Sequence, residues 1–240
     1  MPLPTISTPT YELTLPSSDK KIKYRPFLVK EEKILIIAME SQDSKQIARA
    51  IKDVLSKCIL SRGIKVEKLS TFDIEYLFLN VRAKSVGESV DVNIRCPDDN
   101  ETMVQKTIDL DLIKIKKDRK HKNIIKLDDN LSLKLKYPSM DSFIENNFEI
   151  GATANDIKST LTMITSCIDI IYNEEESWDA SESTQKELED FLEQLNTKQF
   201  AMIEDFFTTM PKLTHTIKVK NPKTNVESDV VLEGLAAFFS

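Results

Sequence analysis

Two stretches decide the fold of this chain: GESVDVNIRCPDDNETMVQKTIDL at 87–110 and KLTHTIKVKNPKTNVESDVVLEGLAAFF at 212–239. Each centre resembles a zinc knuckle, Cys-Pro-x-Cys-Gly, in which two thiolates hold the metal and glycine takes a left-handed backbone conformation. The two tips read Cys96-Pro97-Asp98-Asp99-Asn100 and Asn221-Pro222-Lys223-Thr224-Asn225. Asn replaces the knuckle glycine in both, and Asn tolerates positive φ better than most residues. The sequence therefore predicts two degenerate zinc-ribbon-like hairpins that keep the turn and lack the metal.

Composition sets broad limits on the class of protein. The 240 residues are 40% apolar and 30% charged, which is typical of a soluble globular chain. A net charge of −6 argues against bulk nucleic-acid binding. No apolar run approaches the roughly 18 residues of a membrane span, and the start MPLPTISTPT lacks the regions of a secretory signal. Three scattered cysteines indicate a reducing compartment, and four glycines exclude a glycine-rich phosphate loop.

Hydrophobic periodicity predicts helical blocks that alternate with antiparallel hairpins, which is an α+β fold. Alternation at 11–15 and 21–25 predicts a first hairpin, and alternation at 123–135 predicts another. Helices are expected from Val29, from about Asp43 and from Ser70 or Thr71.

The C-terminal half is expected to be mainly helical. A short helix should open at Pro138, and a longer one should run from near Thr153 through Ile171, followed by an acidic loop at 174–179. Two more helices are predicted, one with a Thr184–Glu187 capping box and one capped by Asn196. The predicted organisation is a flexible arm at 1–9, an α+β part at 10–137, and a helical part with the last hairpin at 138–240. The last two parts are compatible with a single domain.

Catalytic, metal and cofactor sites are all expected to be absent. Only two histidines occur, His121 and His215, and Cys96 has no cysteine three residues on, so a four-ligand zinc site is not expected. Cys96 also lacks a nearby base to activate it, apart from Arg95. The basic run at 114–122 could contact phosphates. Because it contains no aromatic residue, a solvated loop or a surface for an acidic protein is favoured.

Three segments of the chain resemble one family. TYELTLPSSDKKIKYRPFLVKEEKILIIA at 10–38 is similar to the N-terminal signature of baseplate hub proteins of T-even-type contractile-tailed bacteriophages. DFLEQLNTKQFAMIEDFFTTMPKLTHTIKV at 190–219 and VLEGLAAFF at 231–239 resemble the C-terminal signature. The resemblance implies a hub component or hub assembly protein, made in the host cytoplasm, located in the virion tail baseplate and without enzymatic activity. Family members often carry Cys-Pro-x-Cys-Gly at a hairpin tip, and this chain does not.

We therefore hypothesise that the protein docks onto other phage hub or tail proteins. Pro26 donates no ladder hydrogen bond, so the neighbouring strand ends there or lies at an edge, and Tyr and Arg are favoured in interfaces. The candidate contacts are Tyr24, Arg25, Phe27, Leu28, Leu235, Phe238 and Phe239. For the first four, a purely structural strand-to-helix junction is the alternative. Leu235, Phe238 and Phe239 are expected on one face of a short C-terminal helix, together with Leu232. For these three, the alternative to a contact with a partner is burial in the core.

Two other functions stay open at this point. One is a transient assembly chaperone that is absent from the mature virion. The other, more remote, is a metal- or nucleic-acid-binding protein. No membrane partner is expected, nucleic acid is not expected, and the sequence does not determine whether the chain forms homo-oligomers.

Overall fold

The structure is a computed structural model that describes residues 6–140, 142 and 157–238. It combines helices with antiparallel sheets, as the periodicity predicted. The chain divides into a first unit, made of Met1–Lys116 and Lys212–Ser240, and a second unit, Lys117–Pro211. Residue 137, where a boundary was expected, lies inside the second unit. The chain returns to the first unit at Lys212, with its C-terminal hairpin.

The first unit begins with the expected hairpin. Strand β1 (Tyr11–Thr14) pairs antiparallel with β2 (Lys21–Tyr24), and Asp19 has a φ of 53° in the turn between them. Alternate residues of β2 face the interior, which buries Ile22 and Tyr24. The alternation of apolar and polar residues therefore predicted both the strands and the side of β2 that is buried.

Three helices follow in the first unit: α1 (Val29–Glu40), α2 (Ser44–Cys58) and α3 (Thr71–Ser85). The carboxylate of Asp43 caps α2 by accepting the backbone N–H of Lys45 at 2.8 Å. The hydroxyl of Ser70 caps α3. Both predicted helix starts are confirmed, because a side-chain acceptor at the N-cap satisfies backbone donors that have no partner within the helix.

The first of the two decisive hairpins comes next. Strand β3 (Ser89–Arg95) pairs antiparallel with β4 (Met103–Asp109). A short strand, β5 (Lys114–Lys116), follows. On β3 the side chains of Val92 and Ile94 are buried while their neighbours are exposed, so one face of this hairpin packs against the core.

In the second unit a four-stranded antiparallel sheet runs in chain order. Its strands are β6 (Ile124–Lys126), β7 (Ser132–Leu135), β8 (Ile168–Tyr172) and β9 (Ser177–Asp179). The β6–β7 hairpin was predicted, and the other two strands were not.

The helix expected to run through Ile171 is the main correction to the predicted fold. Helix α4 (Ile157–Cys167) ends where β8 begins, and its predicted start near Thr153 lies outside the described residues. Strand β8 pairs with β7, and its β-branched isoleucines suit an extended backbone. The expected acidic loop is also wrong in part, because Trp178 lies in β9 opposite Ile171.

Two further helices, α5 (Gln185–Glu193) and α6 (Thr197–Thr209), pack on the sheet of the second unit. The capping box of Thr184 and Glu187 is confirmed, and Asn196 caps α6 as predicted. Leu188 and Leu192 of α5 and Phe206 of α6 join the buried side chains of β7 and β8 in one hydrophobic cluster. Burial of such side chains is the main source of stability for this unit.

The chain then completes the first unit with β10 (Lys212–Lys220) and β11 (Glu227–Glu233), an antiparallel hairpin. Strand β10 also pairs antiparallel with β5, where Leu213 lies opposite Ile115. The sheet order is therefore β11–β10–β5, and it joins parts of the chain that lie on either side of the second unit.

Paired hairpin tips and candidate docking surfaces

The two hairpin tips have the same turn. Asn100 has a φ of 54° and Asn225 a φ of 62°. The N–H of Asn100 donates to the carbonyl of Cys96 at 2.9 Å, and the N–H of Asn225 donates to the carbonyl of Asn221 at 2.9 Å. The prediction of positive φ at both asparagines is confirmed. Pro97 and Pro222 occupy the same position in the two turns, and both are exposed.

The two tips contact each other through side chains. The amide nitrogen Nδ2 of Asn221 donates to both carboxylate oxygens of Asp98, at 3.1 and 3.0 Å, and to Oδ2 of Asp99 at 2.9 Å. The hydroxyl of Thr224 also donates to Asp98. Asn221 is only 1% exposed, so its amide is buried at the centre of this contact. We call the four side chains, Asp98, Asp99, Asn221 and Thr224, the tip clasp.

Backbone donors fix the orientation of the two central side chains of the tip clasp. Oδ1 of Asn221 accepts the N–H of Lys223 at 2.8 Å, which leaves Nδ2 to face the other hairpin. Oδ1 of Asp99 accepts the N–H groups of Glu101 and Thr102, each at 3.0 Å. The backbone of each turn thus holds one side chain of the tip clasp in the orientation that the contact needs.

The carboxylates of the tip clasp are held in the ionised form. The Thr224 hydroxyl, more than any other group, lowers the pKa of Asp98, and the Asn221 amide adds to this. The Thr102 hydroxyl is the largest cause of the lowered pKa of Asp99. A neutral amide that donates to two carboxylates is a favourable arrangement, because hydrogen bonds to charged acceptors are stronger than neutral ones.

These residues do not fit a zinc ion. The four positions that carry thiolates in a pair of knuckles hold Cys96, Asp99, Asn221 and Thr224, so a single thiol is present. Burial, and then the charges of Asp98 and Asp99, raise the pKa of that thiol. Nitrogen or oxygen ligands about 2.0–2.1 Å from one tetrahedral zinc lie roughly 3.3–3.4 Å apart, whereas Asn221 Nδ2 and Asp99 Oδ2 are at a hydrogen-bond distance of 2.9 Å. In the described part of the chain, no three His, Cys, Asp or Glu side chains form a candidate metal site.

The N-terminal candidate contacts lie at a junction between strand and helix. Tyr24 is 2% exposed and Phe27 is also buried, so both side chains are used within the first unit itself. Arg25 forms an ion pair with the fully buried Glu31, at 3.1 Å. Leu28 is the exposed member of the predicted group.

Glu31 holds this junction together. Its Oε2 accepts the N–H of Leu28 at 2.7 Å, which satisfies a backbone donor at the start of α1. Burial alone would raise the pKa of Glu31, but the hydrogen bonds from Arg25 and Leu28 bring it below its usual value. The ionised carboxylate therefore belongs to the folded structure and is paired.

Helix α1 carries an apolar surface that the sequence analysis missed. It buries Leu35 and Ala38, yet Val29, Ile36, Ile37 and Met39 are between 50% and 68% exposed. We call these four residues, together with the adjoining Leu28, the α1 face. The signal in the sequence was the run Ile34-Leu35-Ile36-Ile37, which has more consecutive apolar residues than a helix buried on one side needs.

The C-terminal candidates divide between strand and turn. Leu232 lies in β11 and Leu235 begins a 3-10 turn, Leu235–Phe238, so the expected helical face shared by both is not formed. Both leucines are buried. Phe239 lies outside the described residues.

A partly buried carboxyl group supports the C-terminal turn. The N–H of Leu235 donates to Oε1 of Glu75 on α3 at 3.2 Å. Burial raises the pKa of Glu75 to about 7, against the effect of this hydrogen bond, and the charge of Glu233 adds to the rise. Gly234 has a φ of 72°, and a β-carbon there would lie 3.3 Å from Glu75 Oε1. The residue at 234 must therefore be glycine or accept strain.

The basic run at 114–122 is divided between the two units. Its first three residues form β5, and its remaining lysines are exposed. His121 is a packing residue, whose ring stacks on Tyr137 and whose Nδ1 lies 3.0 Å from the hydroxyl of Thr209. Burial lowers the pKa of His121.

The described residues thus place exposed apolar side chains on α1 and join the two hairpin tips through polar side chains. The chain belongs to the family described as T4 bacteriophage base plate protein, whose family model matches residues 8–240. Neither the curated proteins nor the solved structures contained a match. Of the helices in the described residues, none combines the length and the apolar character needed to cross a membrane.

Family membership supports a place in the baseplate of the phage tail and contacts with other baseplate proteins. This agrees with the family resemblance noted in the sequence.

Proposed function

We propose that this protein is a structural or assembly component of the hub of the phage tail baseplate and acts by docking, without enzymatic activity. The observation that carries the proposal is the α1 face. Isolated exposed apolar residues are common, but the exposed half of α1 carries four of them, which makes that side of the helix largely apolar. Val29 and Ile36 align at a spacing of seven residues, and Ile37 and Met39 lie to either side of them. Such patches usually mark sites where another protein binds.

The partner that fits the α1 face is an apolar protein surface bordered by charges of both signs. Lys33 and Glu40 are exposed and lie on the same side of α1 as Ile36, at helical spacings of three and four residues. Apolar contacts would supply most of the affinity, and the two charges would select the register of the partner. A neighbouring baseplate protein is the occupant that family membership favours.

A pair of matched substitutions tests this role. Ile37→Glu places a charge in the α1 face, at a side chain that is 68% exposed. Leu112→Glu is the control, because Leu112 is similarly exposed and belongs to the short turn Leu110–Leu112 that follows β4. Both variants should keep the melting temperature of the wild type. We expect only Ile37→Glu to stop the tagged chain from cosedimenting with hub intermediates in infected cells.

Equal entry of both variants into the hub intermediates would contradict docking through α1. A separate measurement on purified virions distinguishes a hub subunit from an assembly chaperone. A chain that stays in the finished particle is a hub subunit, and a chain found only in the intermediates is an assembly chaperone.

A further inference from the structure

We propose that the tip clasp is a metal-free counterpart of a paired zinc-knuckle site, in which the amide of Asn221 links the two hairpins where a shared zinc ion would otherwise do so. The corollary is that both turns still have the backbone needed to bind zinc and lack only three of the four thiols. This inference concerns the first unit alone and does not depend on the docking role proposed above.

The first argument is the correspondence of positions. Within its five-residue tip, Asn221 stands at the first ligand position of a knuckle, as Cys96 does in the other tip. Asp99 and Thr224 stand at the second ligand position of their tips. The left-handed asparagine follows that position in both turns. Four ligand positions are therefore present in two five-residue turns of the same backbone shape, although three of them hold oxygen- or nitrogen-bearing side chains.

The second argument is that the supporting backbone donors are retained. In a zinc knuckle, the atoms that bind the metal also accept N–H groups from the turn, and these outer contacts orient the ligands. Here Oδ1 of Asn221 accepts from Lys223 at 2.8 Å and from Thr224 at 3.4 Å. Oδ1 of Asp99 accepts from Glu101 and Thr102. Pairs of turn donors thus point at one ligand position in each tip, the first position in the Asn221 tip and the second in the Asp99 tip.

The third argument is that the clasp joins the hairpins at those same positions. Asn221 of one tip donates to Asp99 of the other at 2.9 Å, which connects a first ligand position to a second one. Bonds from Asn221 and Thr224 to Asp98 reinforce the connection. A zinc ion attracts thiolates by its charge, whereas here amide and hydroxyl donors satisfy two carboxylates. The folded first unit should consequently be insensitive to chelators.

Restoring the thiols is the direct test. The triple variant Asp99→Cys, Asn221→Cys and Thr224→Cys adds three thiols to the native Cys96. We expect it to bind about one cobalt or zinc ion per chain, with the absorption bands of tetrahedral cobalt-thiolate coordination, and to retain the zinc on dialysis. Wild type should bind none. The matched control adds Cys96→Ser to the triple variant, and it should bind at least tenfold more weakly.

A folded triple variant that binds neither metal would overturn the proposal. A second variant covers the case in which the triple variant does not fold at all. Asn221→Asp keeps the oxygen that accepts the turn N–H groups, but it replaces the donor with a carboxyl group that faces two carboxylates. Because like charges raise the pKa of the new group, its protonation near pH 5 would restore one donor.

We therefore expect Asn221→Asp to lower the melting temperature by roughly 5 °C or more at pH 7, and by less at pH 5. Asn93→Asp is the control, since Asn93 is an exposed residue on β3 of the same hairpin. It should change the melting temperature little at either pH. If Asn221→Asp melted like this control, or lost the same amount at both pH values, the clasp would not link the hairpins as proposed.

Discussion

Replacing Glu75 by Gln should make the protein more stable above neutral pH. Glu75 lies on α3, and its Oε1 accepts the N–H of Leu235 from the C-terminal turn. Its pKa is raised to about 7, chiefly by burial. Gln keeps a carbonyl oxygen for the Leu235 N–H and carries no charge at any pH. The substitution therefore removes the ionisation while leaving the contact in place.

The size of the effect follows from the pKa. The ordinary value is 4.5, and the folded value is about 7. A difference of one in pKa corresponds to roughly 1.4 kcal/mol, so ionised Glu75 destabilises the folded state by an amount on the order of 3 kcal/mol. Because solvent reaches part of the side chain, we expect about 1–3 kcal/mol.

The sign follows from linkage. Since the folded state holds its proton more tightly than the unfolded state, the protonated Glu75 is favoured by folding. That contribution is fully present below about pH 4.5 and is lost as the pH rises through 7. Glu75→Gln should match wild type at pH 5 and exceed it by about 1–3 kcal/mol at pH 8.5.

Urea unfolding at pH 5 and pH 8.5 measures this difference directly. Glu101→Gln, at an exposed position of the first hairpin tip, is the control and should show the same small change at both pH values. The prediction fails if the difference in unfolding free energy between Glu75→Gln and wild type is the same at pH 5 and pH 8.5. Ionisation of Glu75 would then not destabilise the folded state.

Three further changes test other features. Arg25→Ala leaves the buried carboxylate of Glu31 with only the exposed Lys30, at 3.7 Å, as an ion-pair partner. Urea unfolding should show a loss of about 3 kcal/mol; a loss below about 0.5 kcal/mol would mean that the Arg25–Glu31 pair contributes little. Deleting 235–240 removes the buried Leu235 and should destabilise the first unit by at least about 1.5–3 kcal/mol. If the truncated protein kept its melting temperature and still entered hub complexes normally, the segment would be dispensable. Asn225→Gly should be neutral or stabilising by a few tenths of a kcal/mol, because φ is 62° there; clear destabilisation would instead show that the Asn225 side chain is needed.

Local signals in the sequence predicted a large part of this fold. The alternation around Tyr11 and Lys21, the caps at Asp43 and Ser70, and the left-handed asparagines each depend on a few neighbouring residues. Such features can be read from sequence because the physical cause lies within one turn or one strand.

The errors have a common cause, which is the contribution of distant parts of the chain. Residues 157–171 have apolar spacings that suit a helix, yet Ile168–Tyr172 becomes a strand because β7 supplies a pairing partner. The tip clasp joins Asn221 to Asp98, 123 positions apart, and no local pattern marks that contact. The α1 face was missed because periodicity predicts that apolar residues are buried, and it cannot identify those that the fold leaves exposed.

The discontinuous first unit also determines an order of events during translation. Strands β10 and β11 follow the whole of the second unit, so they leave the ribosome after it. At about 5–20 residues per second, the second unit takes roughly 5–20 s to synthesise. Throughout that time β5 has no β10 to pair with, the Asp98 tip has no Asn221, and Glu75 has no Leu235. The newly made chain therefore presents an open sheet edge for several seconds, and a C-terminal hairpin from a second nascent chain could pair there in place of its own.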